Sequence, residues 1–347
     1  MSSVLEQSAT TNPGHGDAFT THMVTMSWTE DDGWHGLRLR PLANLAIHPA
    51  TLGLHYGQVI FEGMKAYRRA DGAMALFRPA LNARRFQRSA RRLAMPELPE
   101  EDYLRALESL VAADHHALSD DPTHSLYLRP LMYGSEANLM LRPSRTYEFL
   151  VLAFVAGGFF GDTLRPVSVY VSHEHSRAMP GGTGNVKCAA NYGPSFTAQR
   201  TAAAAGCEQV VWLDSAEHRW VEEMGGMNIF FVRGDTLVTP PLTGTVLPGV
   251  TRDSLLALGP RLGYRVSEER VSVDRWRAEC AAGTITEAFA CGTAAVVTPI
   301  GRVVDTGGDW RIADGAMGPV TARLRTALTD IQQGRAADPD GWVHLVP

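Results

Sequence analysis

The stretch Met179-Pro180-Gly181-Gly182-Thr183-Gly184-Asn185-Val186-Lys187 presents one lysine at the end of a glycine-rich loop, just before an alanine-rich run. A phosphate-binding P-loop needs Gly directly before the Lys and Ser or Thr directly after it, and Val186 and Cys188 fill those places. Two readings remain. Lys187 is either a solvated loop lysine or a Schiff-base nucleophile, because an amine held among small and apolar residues is desolvated, its pKa falls, and it attacks an aldehyde at neutral pH. The loop alone does not choose between them.

Three stretches further along bear on the choice. In Trp220-Val221-Glu222-Glu223-Met224-Gly225-Gly226-Met227-Asn228, a carboxylate precedes two glycines that let a flat ring come close. A pyridinium nitrogen needs such a carboxylate to stay protonated, although a solvated turn glutamate is the commoner use of the residue. Thr245-Val246-Leu247-Pro248-Gly249-Val250-Thr251-Arg252-Asp253 leads into a helix whose first N–H groups can cradle a phosphate or simply be capped. Glu287-Ala288-Phe289-Ala290-Cys291-Gly292-Thr293-Ala294-Ala295 supplies small residues suited to backbone donors facing an anion. A lone loop lysine, a carboxylate and two anion-ready turns together are the parts of a pyridoxal phosphate site.

Outward from these stretches the chain alternates strands and helices. Val59 to Tyr67 and Ala73 to Phe77 read as a hairpin over Asp71-Gly72, followed by helices over Ala80 to Met95 and Glu100 to Leu118, then strands over Ser125 to Tyr133 and Tyr147 to Val155. Glycines and prolines crowd Phe160 to Gly184 around a strand at Val167 to Ser172, which marks a domain junction. Beyond it come a helix over Ala189 to Gly206, a strand over Gln209 to Leu213, a hairpin over Asn228 to Val238 and a helix over Arg252 to Leu262. The expected domains are a small α+β unit (1–160), a linker (161–180) and a large α/β cofactor-binding unit (181–347).

Several motifs, in order, resemble those of a known family. Leu54-His55-Tyr56-Gly57 with Phe61-Glu62-Gly63-Met64-Lys65, Leu126-Tyr127-Leu128-Arg129-Pro130, Gly184-Asn185-Val186-Lys187 with Asn191-Tyr192-Gly193, Glu223-Met224-Gly225-Gly226-Met227-Asn228 and Gly292-Thr293-Ala294 closely resemble the branched-chain amino acid aminotransferases. The resemblance implies the two-domain fold type IV of pyridoxal phosphate enzymes, the D-amino acid aminotransferase-like architecture.

It also implies roles. Lys187 is similar to the Schiff-base lysine that shuttles the substrate proton, Tyr192 to the phenol bonding the cofactor's ring oxygen, and Glu223 to the partner of the pyridine nitrogen. Arg85, Val250, Thr251 and Thr293 match the phosphate ligands, although the run of arginines around Arg85 otherwise reads as a solvated helix face. Phe61, Tyr127 and Phe159 resemble the walls of the substrate pocket, with Tyr56 and Arg129 as its polar members and the Thr293-Ala294 turn offering N–H groups to a carboxylate. The implied reaction moves the amino group of leucine, isoleucine or valine to 2-oxoglutarate, giving branched-chain 2-oxo acids and glutamate. The implied assembly is a homodimer in which Tyr56 reaches into the neighbouring subunit's pocket. Gly226 stands where some relatives carry threonine, and Ala295 and Thr298 replace the CxxC pair of the mammalian enzymes.

Composition narrows the alternatives. Hydrophobic residues make up 45% and charged residues 20% of the 347, as in globular proteins with sizeable cores. A formal net charge of -5 gives no cationic field for nucleic acid. The most apolar stretch, Phe149 to Phe160, is broken by glycines and too short to span a bilayer. Met1 to Gly16 reads as a loose arm without the features of a signal peptide. Cys188, Cys207, Cys280 and Cys291 form no CxxC pair, which fits a reducing cytoplasm. No metal site is expected: His173 and His175 share a strand face without a third ligand, and His115-His116 suit a helix C-terminus. A D-amino acid transaminase or an aminodeoxychorismate lyase would keep Lys187 and Glu223 but lack the Tyr127-x-Arg129 pattern. A non-catalytic phosphate-ligand binder would need none of Lys187, Tyr192 and Glu223 together.

Overall fold

Alternation of buried and exposed residues builds the first sheet. The computed structural model describes residues 16–157 and 164–347, and the chain divides into two units, Met1–Thr163 with Asp330–Pro347, and Leu164–Thr329.

The first unit opens with an antiparallel pair, β1 (His22–Thr29) and β2 (Gly33–Pro41). A short helix α1 (Leu52–Tyr56) leads to β3 (Val59–Phe61), β4 (Met64–Arg68) and β5 (Met74–Phe77). Helices α2 (Pro79–Arg92) and α3 (Glu100–Asp114) follow, then the long strands β6 (Ser125–Gly134) and β7 (Thr146–Ala156), which pair antiparallel along their length. Phe86 of α2 and Tyr103 of α3 pack 5.5 Å apart, and Phe86 lies 5.7 Å from Phe149 of β7. Burial of these three rings pins both helices to the sheet.

The second unit comprises β8 (Val167–Ser172), α4 (Ser195–Ala204), β9 (Gln209–Leu213), β10 (Val221–Met224), β11 (Asn228–Arg233), β12 (Thr236–Thr239), α5 (Val250–Arg261), β13 (Arg265–Glu268), α6 (Val273–Ala281), β14 (Ile285–Gly292), β15 (Val296–Val304), β16 (Trp310–Arg311) and α7 (Pro319–Gln332). Its mixed sheet runs β10-β9-β8-β15-β14-β11-β12-β13, with β8 parallel to both β9 and β15. Stacked Phe230 and Phe289, 5.2 Å apart, and Trp276 against Phe231 at 5.1 Å fill its core.

The last strand, β17 (Val343–Leu345), pairs antiparallel with β5 and so completes the first unit's sheet, ordered β17-β5-β4-β6-β7-β1-β2. The C-terminal tail therefore belongs with the N-terminal unit, whereas the sequence reading places it in the 181–347 unit. Other boundaries differ for local reasons. The expected strand from Val59 to Tyr67 breaks at Glu62-Gly63, where the Glu62 carboxylate turns inward to Arg85 and Asn82. The expected helix over Ala189 to Gly206 splits into a single 3-10 turn, Ala189–Asn191, and α4, because Gly193-Pro194 intervenes. The helix begun at Glu100 tightens to a 3-10 turn at His115–Ala117.

Candidate active site

Lys187 is placed by the residue four positions on. Asn191 donates its side-chain amide to Thr183 O at 2.7 Å and Val186 O at 2.9 Å and accepts from Thr183 Oγ1 at 2.6 Å, which closes the glycine-rich loop on itself. Gly184 is required within it: a Cβ there would lie 2.3 Å from Thr245 O and 2.5 Å from Ala178 Cβ. The half-buried Lys187 then donates from Nζ to Tyr192 Oη at 2.8 Å.

Glu223 sits in β10, 2% exposed. Its Oε1 accepts from Asn228 Nδ2 at 3.1 Å and Leu247 N at 3.0 Å. Its Oε2 lies 2.5 Å from Arg177 Nε, an ion pair off the line of an ideal hydrogen bond. Arg177 is anchored in turn by the carbonyls of Gly184, at 3.0 Å, and Thr245. Burial pushes the Glu223 carboxyl up to about 7, against the lowering effect of Arg177, the Leu247 N–H and Lys187. Lys187 and Glu223 thus act on one another electrostatically. A Cβ on Gly226 would stand 3.5 Å from Tyr192 Cε1, so the missing side chain leaves the phenol's flank open.

Val250 and Thr251 begin α5 behind Gly249, which caps the helix without a side-chain bond. The first-turn N–H groups of such a helix point outward with its positive dipole end. A Cβ on Gly249 would come 2.1 Å from Asn228 Oδ1, so a larger residue here would displace the Asn228 side chain that bonds Glu223. Thr293 and Ala294 form the turn between β14 and β15 and are half-buried. Val296, just past that turn, holds φ at +60°, a conformation strained for a β-branched residue.

The first unit carries the other expected residues. The Arg129 guanidinium lies 4.8 Å over the Phe61 ring and 5.5 Å over Tyr127, with its buried Nε lacking a hydrogen-bond partner. Tyr127 stacks on Phe154 at 4.8 Å, and Gly63 makes room for it, since a Cβ there would fall 2.0 Å from its hydroxyl oxygen. Tyr56 donates to Leu139 O at 2.6 Å within an exposed apolar group of Leu54, Leu139, Met140 and Leu141. Arg85 is buried and binds Glu62 through two bonds, Nε to Oε1 at 2.7 Å and Nη2 to Oε2 at 2.8 Å. Its arginine neighbours suggest a solvated face, yet this side chain lies inside. Phe159 lies outside the described residues.

Lys187, Tyr192, Glu223, Val250, Thr251 and Thr293 all lie in the second unit, where Lys187 and Tyr192 are hydrogen-bonded to one another. Sequence reasoning assigns no role to Arg177, Asn191, Asn228 or Thr245; the pairing of Asn191 and Asn228 with the lysine and glutamate in single motifs is the one available signal. Among the described residues no three His, Cys, Asp or Glu side chains gather as a metal site, and His173 instead lies 2.6 Å from Asp305.

Residues 59–303 match the family model described as "Amino-transferase class IV". The chain is 53% identical to a probable branched-chain-amino-acid aminotransferase of Streptomyces coelicolor, across 96% of this chain and 93% of the relative. It is 50% identical to the branched-chain-amino-acid aminotransferase of Mycolicibacterium smegmatis, across 98% and 94%. The crystal structure of the branched-chain amino acid aminotransferase from Thermobaculum terrenum in its PLP-form (holo-form) superposes with a TM-score of 0.77 at 25% identity, covering 95% of this chain and 99% of that one.

Proposed function

The chain belongs to the class IV aminotransferases and, among them, to the branched-chain amino acid aminotransferases, and from that membership we propose that it moves the amino group of leucine, isoleucine or valine to 2-oxoglutarate, reversibly and by ping-pong exchange. The observation that carries this reading is the Lys187 amine, 2.8 Å from the Tyr192 phenol, in electrostatic reach of a glutamate buried to 2% exposure.

The residues fit pyridoxal 5'-phosphate. Gly226 keeps the flank of Tyr192 open for a flat ring, Glu223 offers a buried carboxylate to a ring nitrogen, and the bare start of α5 suits a phosphate. When bound, the cofactor supplies an aldehyde with which the Lys187 amine condenses and a ring that withdraws electrons from the substrate carbon. Lys187 then takes and returns the proton at the substrate Cα. Tyr192 holds the amine's direction through its hydroxyl, and Arg177 and Asn228 hold the Glu223 carboxylate in place. Val250, Thr251 and Thr293 would hold phosphate oxygens of the cofactor, and Arg85, whose guanidinium is fixed by Glu62, is by family resemblance a further phosphate ligand.

In the first unit, Phe61 and Tyr127 offer an aliphatic side chain an apolar surface, while Arg129 answers the side-chain carboxylate of glutamate. The exposed apolar group around Tyr56 supports a homodimer in which that face is covered. Four free cysteines, three of them buried, support a reducing cytoplasmic setting; no helix among the described residues is long and apolar enough to cross a membrane. Incubation of the cofactor-loaded protein with leucine and 2-oxoglutarate should yield glutamate and the branched 2-oxo acid in equal amounts. Absence of glutamate with any of the three branched-chain donors would refute the reading.

A further inference from the structure

The turn between β14 and β15 is gripped by α7. Thr293, Ala294 and Ala295 join the paired residues Gly292 and Val296 as a short hairpin loop. Loops of this length commonly place a left-handed residue at their exit, a position that suits glycine. Here it is Val296, buried and at φ +60°. A β-branched residue stays in that region only where its surroundings fix it.

Arg325 of α7 supplies such a fixture. Its Nη1 donates to Ala295 O at 3.0 Å and to Val297 O at 2.7 Å, the two carbonyls that flank Val296. Bonds from a guanidinium are charge-assisted and so stronger than neutral ones. The helix is itself seated on β14. Glu287, a buried residue of that strand, accepts from Val320 N at 3.0 Å, Thr321 N at 2.8 Å and Thr321 Oγ1 at 2.7 Å. Gly318 admits the carboxylate, since a Cβ there would fall 2.0 Å from Glu287 Cδ. One strand thus carries both the carboxylate that anchors the start of α7 and the turn that Arg325, about one helical turn beyond Thr321, holds.

We propose that Arg325 is a positioning residue for substrate binding, which holds the Thr293-Ala294 turn in the conformation that offers backbone N–H groups to the substrate carboxylate. The inference rests on the transamination reading and on the role that the family resemblance gives this turn. Arg325 acts through the carbonyls of Ala295 and Val297 and need not touch the substrate. A loosened turn would lose its hold on the anion and leave the apolar contacts of the substrate as they are.

The test titrates the cofactor-loaded protein calorimetrically with two unreactive ligands of one carbon skeleton, 4-methylpentanoate and 4-methylpentan-1-ol. Wild type should bind the carboxylate more tightly than the alcohol. In Arg325→Met that preference should fall about tenfold, as expected for a misaligned hydrogen bond to a charged group, while the alcohol's affinity changes less than about twofold. A general loosening of the fold would weaken both ligands together and leave their ratio as it was. An unchanged ratio in Arg325→Met, or a wild type without preference for the carboxylate, would overturn the proposal. Should Arg325→Met fail to fold, Arg325→Gln, polar but too short to reach both carbonyls, decides by the same ratio. Glutamate formation from leucine and 2-oxoglutarate by the wild type, measured alongside, separates the two claims: its absence would refute the transamination reading, whereas its presence with an unchanged ligand ratio would refute only the role of Arg325.

Discussion

Lys187 Nζ lies 2.8 Å from Tyr192 Oη, across a five-residue separation that Asn191 fixes by bonding back to Thr183 and Val186. Nucleophile and phenol are thus held as one unit before any substrate arrives. Lys187→Ala should abolish turnover of leucine with 2-oxoglutarate while the protein stays folded by circular dichroism, because the nucleophile and proton carrier vanish together. Tyr192→Phe should lower kcat by about tenfold to a hundredfold, the range expected for a lost hydrogen bond to a charged group. Wild-type rates in Lys187→Ala would remove the lysine from the mechanism.

The environment of Glu223 gives a pH prediction. Burial raises its carboxyl from the ordinary 4.5 to about 7. Between those values the folded chain holds a proton that the unfolded chain has lost, so this group's contribution to stability is present at low pH and disappears as pH rises through about 7. Glu223→Gln removes the titration. In denaturant unfolding of cofactor-free protein, the variant should therefore gain stability relative to wild type between about pH 5 and about pH 8. A difference that does not change with pH would mean that Glu223 titrates as an ordinary exposed glutamate. In the cofactor-loaded enzyme the same variant should lose kcat with cofactor still bound, since an amide supports a protonated ring nitrogen poorly.

Gly184 tests the fit between the lysine loop and the Thr245 segment. Gly184→Ala forces a Cβ to 2.3 Å from a backbone carbonyl, which cannot swing aside as a side-chain tip can. We expect a loss of about 1–3 kcal/mol, the usual cost of overpacking, and a fall in activity as the loop shifts under Lys187. Unfolding midpoints matching wild type would show that the loop and the Thr245 carbonyl are not so tightly apposed.

The most informative residues in the sequence are those whose chemistry is packed into short runs. Lys187 and Tyr192 lie five apart, and Glu223 is followed by its glycines, so a local reading can single them out. Arg177 cannot be found in this way: it meets Glu223 across 46 positions, and nothing near it in sequence announces a partner. Arg85 illustrates the opposite hazard, because a run of arginines on a helix suggests solvent while Glu62, 23 positions earlier, draws this one inside. Strands divide in the same manner. The long strands β6 and β7 carry buried runs that declare themselves, but β2 is mostly exposed, and β17 has three residues whose identity as a strand depends wholly on β5.

Arg129 should separate the two substrates. Its guanidinium is flanked by the Phe61 and Tyr127 rings, and its buried Nε has no hydrogen-bond partner. A carboxylate entering aromatic surroundings needs a cationic donor, whereas an isobutyl group does not. Arg129→Ala should therefore lower kcat/KM for glutamate by about tenfold or more beyond its effect on leucine. Equal losses for the two would assign Arg129 to the shared α-carboxylate or to packing.

Tyr56 provides the test of assembly. Its hydroxyl donates to Leu139 O at 2.6 Å, and it is exposed together with Leu54, Leu139, Met140 and Leu141. The proposed homodimer, closed by a two-fold axis, has each Tyr56 entering the neighbour's site, as the family resemblance implies. Inactive Lys187→Ala subunits mixed with inactive Tyr56→Ala subunits would then form heterodimers in which one site carries both defects and the other carries neither. Each heterodimer should regain about half the wild-type activity, because one of two symmetry-related sites is whole. If exchange is demonstrated by mass and activity stays absent, Tyr56 serves its own subunit or lies outside the site altogether.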